Sequence, residues 1–413
     1  MQREAGGPNF FHYRARACDT RAFARERNFR DSGGASTRRE GAMAKAVGEA
    51  VERYSSAIFD VDAMPLCSFD AAGFACTPPE AYALYLPEQY DQPGFPWVPF
   101  RRDVRVRWTP ARDLASGAVV HVPAARVYMP YTYYLGTGDA PIDQPISTGL
   151  ACHMDWPRAA LNGVCEVIER DAVMITWQAM NAPAQIRVET LSDENYDIVQ
   201  RLEHSGASVT IFDLTMDHGV PAVLSTLRGA MPAMPALVVA GSSSPDPEEA
   251  VRKSLEELAH TRRYCQYILD HAPRLVPDPP LYESVVDQVT HLNFYVDPRN
   301  LDHAAFLFGS RKRIEFDELP NLATGDPMRD LDAVAARISA VGEQVLVADV
   351  TSSDIDELGM KVVRAVVPGF HPLHMGHQLR ALGGRRLREV PQKLGFRGIP
   401  GSGADNPAPH PYP

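Results

Sequence analysis

Apolar residues recur every three to four positions in three long stretches of this chain. "REGAMAKAVGEAVERYSSAI" (39–58), residues 157–180 and "PDPEEAVRKSLEELAHTRRYCQYIL" (245–269) therefore predict helices. Pro157 suits the first turn of the second helix, and Asp246 with Pro247 reads as the N-cap and first residue of the third. Elsewhere the period is two. "VRVRWTP" and "GAVVHVPAARVYMPY", inside a Pro- and aromatic-rich region at 60–145, read as half-buried strands. "ASVTIFDLT" (207–215) and "PAVLSTLRG" (221–229) read as paired strands joined at Asp217–Gly219. "PALVVAGSSS" (235–244) is a buried strand, and "QVLVADVT" (344–351) and "KVVRAVVPG" (361–369) add two more. "STGLACHMD" (147–155) reads as a loop, and 271–330 carries no clear pattern. From about Gly395 the chain is rich in Gly and Pro. Long helices interleaved with strand pairs make the fold class α+β.

The polar positions of two helices are unusual. In the first, Lys45, Glu49, Glu52 and Arg53 share one stripe; in the second, Arg158, Asn162, Glu166, Glu169 and Arg170 do. Nearly everything else in both is Ala, Val, Ile, Leu, Met or Gly, the reverse of an ordinary surface helix. This predicts buried helices whose narrow polar stripes line something internal. Glu49–Arg53 and Glu166–Arg170, taken singly, are ordinary i,i+4 pairs worth a few tenths of a kcal/mol. Repeated in matching apolar settings, Glu-x-x-Glu-Arg points instead to carboxylates gathered around hard divalent cations, with arginines free to hold phosphate. The third helix adds Glu257 and Arg262, with Glu256 beside them; alone these read as a solvated face.

Composition narrows the class. The 413 residues are 45% hydrophobic, enough for a sizeable core, and the formal charge is −11. The densest basic run, "GGRRLR" at 383–388, is too short for a nucleic-acid surface. "MQREAGGPNFF" lacks the pattern of a signal peptide, and no stretch of about 18 apolar residues would span a membrane. The six cysteines form no Cys-x-x-Cys and no zinc spacing, which places the protein in the cytoplasm with reduced thiols.

"SGGASTRREGAMAKAVGEAVERYSS" (32–56), "STGLACHMDWPRAALNGVCEVIERDAVMITW" (147–177) and "EEAVRKSLEELAHTRRY" (248–264) resemble, in order, the three nucleotide-binding segments of the YcaO family. "VADVTSSDIDELGMKVVRAVVPGFHPLHMG" (347–376) resembles the family's C-terminal half. The resemblance implies the YcaO fold, with mixed and antiparallel sheets and long helices around an internal ATP site. It divides the chain into an N-terminal extension (1–26), a catalytic domain (27–394) and a Pro-rich tail (395–413) reaching the active site. It implies ATP and Mg²⁺ as cofactors, bound without a Walker P-loop, a motif the sequence lacks. Glu49, Glu52, Glu166 and Glu169 would face metal. Arg53, Arg170, Glu257 and Arg262 would hold phosphates or orient those carboxylates. Asn162 would join the nucleotide site, and Ser32 and Gly33 would pass close to the nucleotide. The chain departs from the family pattern at Ala35, Thr148, Arg158 and His260.

The closing P-x-P-x-P-x-P, from Pro407 to Pro413, reads as a stiff polyproline II rod with little entropy to lose on docking, or else as a disordered tail. Within the family it resembles the azoline-forming peptide cyclodehydratases. That implies conversion of Cys, Ser or Thr of a ribosomal precursor peptide to thiazoline or oxazoline, with the Pro413 terminal carboxylate and Arg170 acting in catalysis. The expected partners are the precursor, a ThiF-like or ubiquitin-activating-enzyme-like protein that binds its leader, and a flavin-dependent azoline dehydrogenase. A homodimer is expected as well. Two alternatives stay open: a thioamide- or amidine-forming enzyme, and a non-catalytic scaffold.

Overall fold

The computed structural model describes residues 9–399 and 403–413. Residues 1–8 of the N-terminal extension and 400–402 of the tail lie outside the description. An antiparallel hairpin of β1 (Phe11–Arg16) and β2 (Asp31–Ser36) leads into α1 (Arg39–Ser55). The Pro-rich region holds β3 (Leu66–Ser68), the short helix α2 (Pro87–Tyr90), β4 (Arg105–Asp113) and β5 (Val119–Pro123). With β6 (Leu150–His153), β12 (Leu346–Asp349) and β13 (Lys361–Val366) these strands build an antiparallel sheet ordered β3-β4-β12-β13-β6, β5 lying on β4. A second sheet runs β10 (Leu237–Ser243), β9 (Ala222–Arg228), β8 (Ser208–Asp213), β7 (Gln185–Ile186), β11 (Arg313–Ile314), and only its β11–β7 pair is parallel. The other helices are α3 (Trp156–Gln178), α4 (Asp193–Glu203), α5 (Pro247–His271), α6 (Gln288–Val296), α7 (Pro327–Ala340), α8 (Ser353–Glu357) and α9 (Arg385–Lys393). The architecture is α+β, as the pattern predicts.

Helix α3 lies between the two large sheets, on β6 and β13 to one side and on β9 and β10 to the other. Strand alternation makes this work. Val363 and Ala365 of β13 face α3, whereas Val362 and Val366 face the core around Trp108. Likewise Leu224 and Val239 face α3, whereas Val223 and Val238 face α5. Burial on both faces explains why these strands read as nearly continuous apolar runs. Each fully buried Val or Leu contributes about 1.5–3 kcal/mol. Two glycines let α3 come close. Gly149 has φ +87°, and a Cβ there would lie 2.3 Å from the Ala365 carbonyl oxygen; a Cβ on Gly163 would lie 2.6 Å from the Gly149 oxygen. That close approach is one turn from Glu166.

Three expectations are corrected. Helix α1 ends at Ser55 and is not buried all round: Ala42, Ala46 and Ala50 pack inward, but Met43 and Val47 are 48% and 45% exposed. It caps the hairpin at the edge of the fold, so apolar composition overstated its burial. The segment 147–155 is not all loop. It contains β6, whose four residues are too few to show a period. The unreadable region 271–330 holds α6, a long 3₁₀ segment (Pro298–Phe308) and the start of α7. The tail is docked from Asp405 onward. Asn406 N–H donates to the Gln178 carbonyl (2.8 Å), Trp177 Nε1 to that of Ala408 (3.0 Å) and the Tyr295 hydroxyl to that of Pro409 (2.7 Å). Among the described residues no helix is long and apolar enough to cross a membrane.

Candidate active site

Helices α1, α3 and α5 bring their polar stripes toward one place, and backbone N–H groups hold the carboxylates there. Gly33 N–H of β2 donates to Glu49 (3.0 Å). Cys152 N–H of β6 donates to Glu52 (2.8 Å), and Gly149 N–H, just before β6, to Glu166 (3.1 Å). Arg53 pairs with Glu49. Arg170 bridges Glu166 (3.1 Å) and Glu169 (2.5 Å). The Tyr412 hydroxyl joins this bridge: it donates to Glu169 and accepts from Arg170. Gly241 leaves the room for it, since a Cβ there would lie 3.1 Å from the Tyr412 oxygen.

A cavity of about 1290 Å³ opens beside this cluster. Its wall includes Ser32, Gly33, Glu49, Glu52, Arg53 and Glu257, and also Pro413. Asn162, Glu166, Glu169, Arg170 and Arg262 are not part of that wall. Asn162 accepts from Lys253 (3.3 Å), and Arg262 is buried. The Ser32 hydroxyl turns away to the Ala46 carbonyl (2.8 Å). Arg158 is exposed beside Asp155.

Sequence reasoning missed several participants. Glu256, set aside as a neighbour, is the buried acid of α5; it takes the Ser36 hydroxyl (2.5 Å), Lys45 (2.7 Å) and Arg252 (3.3 Å). Lys45 stood on the α1 stripe without an assigned partner, but nothing in the sequence pointed from it to Glu256. His260 pairs with Glu257 (3.4 Å). Tyr412 carried no signal beyond its place between two prolines.

The charges are unbalanced. Burial first, then repulsion from Glu166 and Glu49, pushes the Glu52 carboxyl up to about 8, against the opposing Cys152 N–H bond and the Arg53 charge. Burial raises Glu169 to about 7, with Glu166 and Glu257 adding and with Arg170 and the Tyr412 hydroxyl opposing. Glu257 goes the other way. Burial works against its ionisation, but the His260 hydrogen bond and the charges of His260, Lys45 and Arg170 win and hold it at about 2. The α1–α3 carboxylates are thus short of positive charge, and all are hard oxygen donors, a set that fits Mg²⁺. Among the described residues no three of these carboxylates bring oxygens within 4.8 Å of one another. One ion would therefore draw on two at most, leaving the rest of its shell to water or phosphate oxygens.

Residues 33–371 match the family described as YcaO cyclodehydratase, ATP- and Mg²⁺-binding. An uncharacterized protein of Methanothermobacter thermautotrophicus is 27% identical over 354 residues, 82% of each chain. A heterocyclase solved with substrate and cofactor superposes at TM-score 0.76 and 22% identity, covering 92% of this chain and 50% of its own. The present chain thus spans about half the length of that heterocyclase. YcaO from Methanopyrus kandleri, bound with AMPPCP and Mg²⁺, gives 0.61 at 20% identity, over 89% of this chain and 87% of its own. The E. coli microcin synthetase McbBCD complex with pro-MccB17 bound contains a chain that gives 0.60 at 15% identity, over 96% of both. At these identities the three structures establish a shared fold.

Proposed function

The chain belongs to the YcaO family, and on that premise we propose that it is an ATP-dependent cyclodehydratase forming thiazoline or oxazoline in a ribosomal precursor peptide. The observation that supports this reading most is the presence of Pro413 in the same cavity wall as Glu49, Glu52, Arg53 and Glu257. A docked tail fits peptide heterocyclisation better than a plain nucleotide-binding scaffold.

An amide carbonyl is a weak electrophile, and its oxygen is a poor leaving group. In the proposed reaction a substrate Cys, Ser or Thr side chain attacks the preceding carbonyl carbon. The resulting oxyanion attacks the γ-phosphorus of ATP and displaces ADP. Phosphate then departs with the former carbonyl oxygen as the amide nitrogen loses its proton, leaving the ring. Mg²⁺, when bound, would neutralise phosphate charge; Glu49, Glu52, Glu166 and Glu169 are the residues that would hold it, no more than two of them to any one ion. Arg170 keeps two of those carboxylates oriented and stays charged. Arg53, in the cavity wall and paired with Glu49, would offer its remaining N–H groups to phosphate oxygens. The Pro413 carboxylate is the proposed acceptor for the protons released on ring closure. We also propose a leader-binding partner of the ThiF-like kind, supported by the multi-protein E. coli complex, and a cytoplasmic setting that keeps the six described cysteines as free thiols.

The test is mass spectrometry of precursor peptide incubated with ATP, Mg²⁺, this protein and its partner. Loss of one water per ring, dependent on Glu169 and abolished by deleting residues 411–413, is the expected result. Exchange of oxygen for sulfur would replace this reading with thioamide formation. Binding of nucleotide without any change in peptide mass would reduce the protein to a scaffold.

A further inference from the structure

Arg364 stands where the fold asks for an apolar residue. It lies within β13, on the face that carries Val362 and Val366, and its neighbours across the sheet are Ala348 and Leu150. It is 4% exposed. Its Nη2 donates to the Ile146 carbonyl (2.6 Å), but Nε and Nη1 find no hydrogen-bond partner among the described residues. Burial lowers the guanidinium to about 10, with the charge of Glu166 opposing, Arg126 adding and Asp143 opposing, so it is still a cation at pH 7.

Arg364 lines a cavity of about 50 Å³, separate from the large one, and Arg126 and Thr148 share its wall. Arg126 pairs with Asp143, yet its Nη2 has no hydrogen-bond partner, and neither has the buried Thr148 hydroxyl. Glu166 is the other anion that acts on Arg364, but its two oxygens are held by Arg170 and by the Gly149 N–H, both at 3.1 Å. His371, also in the wall, is lowered to about 4, chiefly by burial, and adds no charge. Two guanidinium groups therefore share one closely paired carboxylate, and their spare N–H groups line the same small space. Buried donors of this kind call for a partner. Water would answer the hydrogen bonds and leave the charge; an oxyanion answers both, and the guanidinium fork matches its oxygens. One water needs about 10–15 Å³ of such space, so the cavity has room for a few waters or one small oxyanion.

We propose that Arg364, Arg126 and Thr148 bind one inorganic oxyanion of phosphate size in this cavity. The site has a consequence for the glutamate cluster. The charge of Glu166 now eases the burial of Arg364, and once Glu166 ligates Mg²⁺ that help is withdrawn. Anion and metal then favour each other's binding, by the same factor in both directions. That consequence rests on the metal-binding role proposed for Glu166; the anion site does not.

The test begins with crystals of the full chain grown without phosphate or sulfate and soaked in arsenate, or separately in bromide. Anomalous scattering should place one arsenate against Arg364, Arg126 and Thr148. Bromide there without arsenate, or no anomalous peak in either soak, overturns the site, and this arm needs no variant to fold. In solution, equilibrium dialysis against radiolabelled phosphate in EDTA should show a site weakened at least tenfold by Arg364→Lys and several-fold by Thr148→Val. Arg53→Ala, which alters the large cavity, should leave it unchanged. Phosphate uptake lost in Arg53→Ala and kept in Arg364→Lys overturns the proposal, since the ion would then sit in the large cavity. Adding Mg²⁺ should tighten phosphate binding several-fold in wild type and leave Glu166→Gln unmoved. If Mg²⁺ changes nothing in wild type, the coupling to Glu166 fails while the anion site stands.

Discussion

Replacing Glu52 with Gln should stabilise the metal-free protein. In the folded chain the Glu52 carboxyl is pushed from 4.5 to about 8 by burial and by neighbouring Glu166. In the unfolded chain it returns to the ordinary carboxylate range. Because the folded value is the higher one, the folded state binds the proton more tightly, and stability falls as pH rises from about 4.5 through 8. At pH 7 the two and a half units between the unfolded value and ambient pH, at 1.36 kcal/mol each, amount to about 3 kcal/mol against folding. Gln resembles the protonated acid, keeps an oxygen for the Cys152 N–H bond and removes that cost. The assay is urea unfolding of wild type and Glu52→Gln at pH 5 and pH 7.5, first with EDTA and then with Mg²⁺ and a non-hydrolysable ATP analogue. With EDTA the variant should gain on wild type as pH rises. With metal and nucleotide the order should reverse, since only wild type has the extra charge to neutralise. A variant less stable than wild type in EDTA at pH 7.5, or a difference that ignores pH, would refute the picture of mutually repelling buried carboxylates.

Tyr412→Phe removes a donor to Glu169 and an acceptor for Arg170. At about 1.5 kcal/mol for a hydrogen bond to a charged group, turnover should drop roughly tenfold. The acid limb of the pH–rate profile should also move to higher pH, because the lost bond had been lowering the Glu169 carboxyl; an unmoved profile would refute that coupling. Arg386→Met removes the cation that binds Asp171 at 2.7 Å and Asp217 at 3.0 Å; Asp217 keeps Lys393 at 3.7 Å, but Asp171 is fully buried. Unfolding free energy should fall by about 3–5 kcal/mol, measured by denaturant titration.

The legible parts were those whose chemistry is local. The spacing of Glu49, Glu52 and Arg53 and of Glu166, Glu169 and Arg170 marks two helices and a shared polar purpose. Asp246 and Pro247 place the start of α5 to the residue. What stayed hidden depends on partners distant in sequence. Nothing near 147–155 says that a four-residue strand will pair with β13 and offer its Cys152 N–H to Glu52, with Gly149 just before it donating to Glu166. Lys45 and Glu256, 211 residues apart, have no pattern to connect them. The exposure of Met43 and Val47 follows from where α1 sits, and hydrophobic content alone does not report position.

The docking of the last stretch bears on how the molecule assembles. Its anchors on Trp177, His291 and Tyr295 reach back 114 to 231 residues along the chain. Each closes a very long loop, and none has a surface to close onto until the sheets and α3 have condensed. On refolding, helix and strand signals should therefore return before enzymatic competence does. Chains caught between the two would be well-formed bodies with an unfinished reaction chamber.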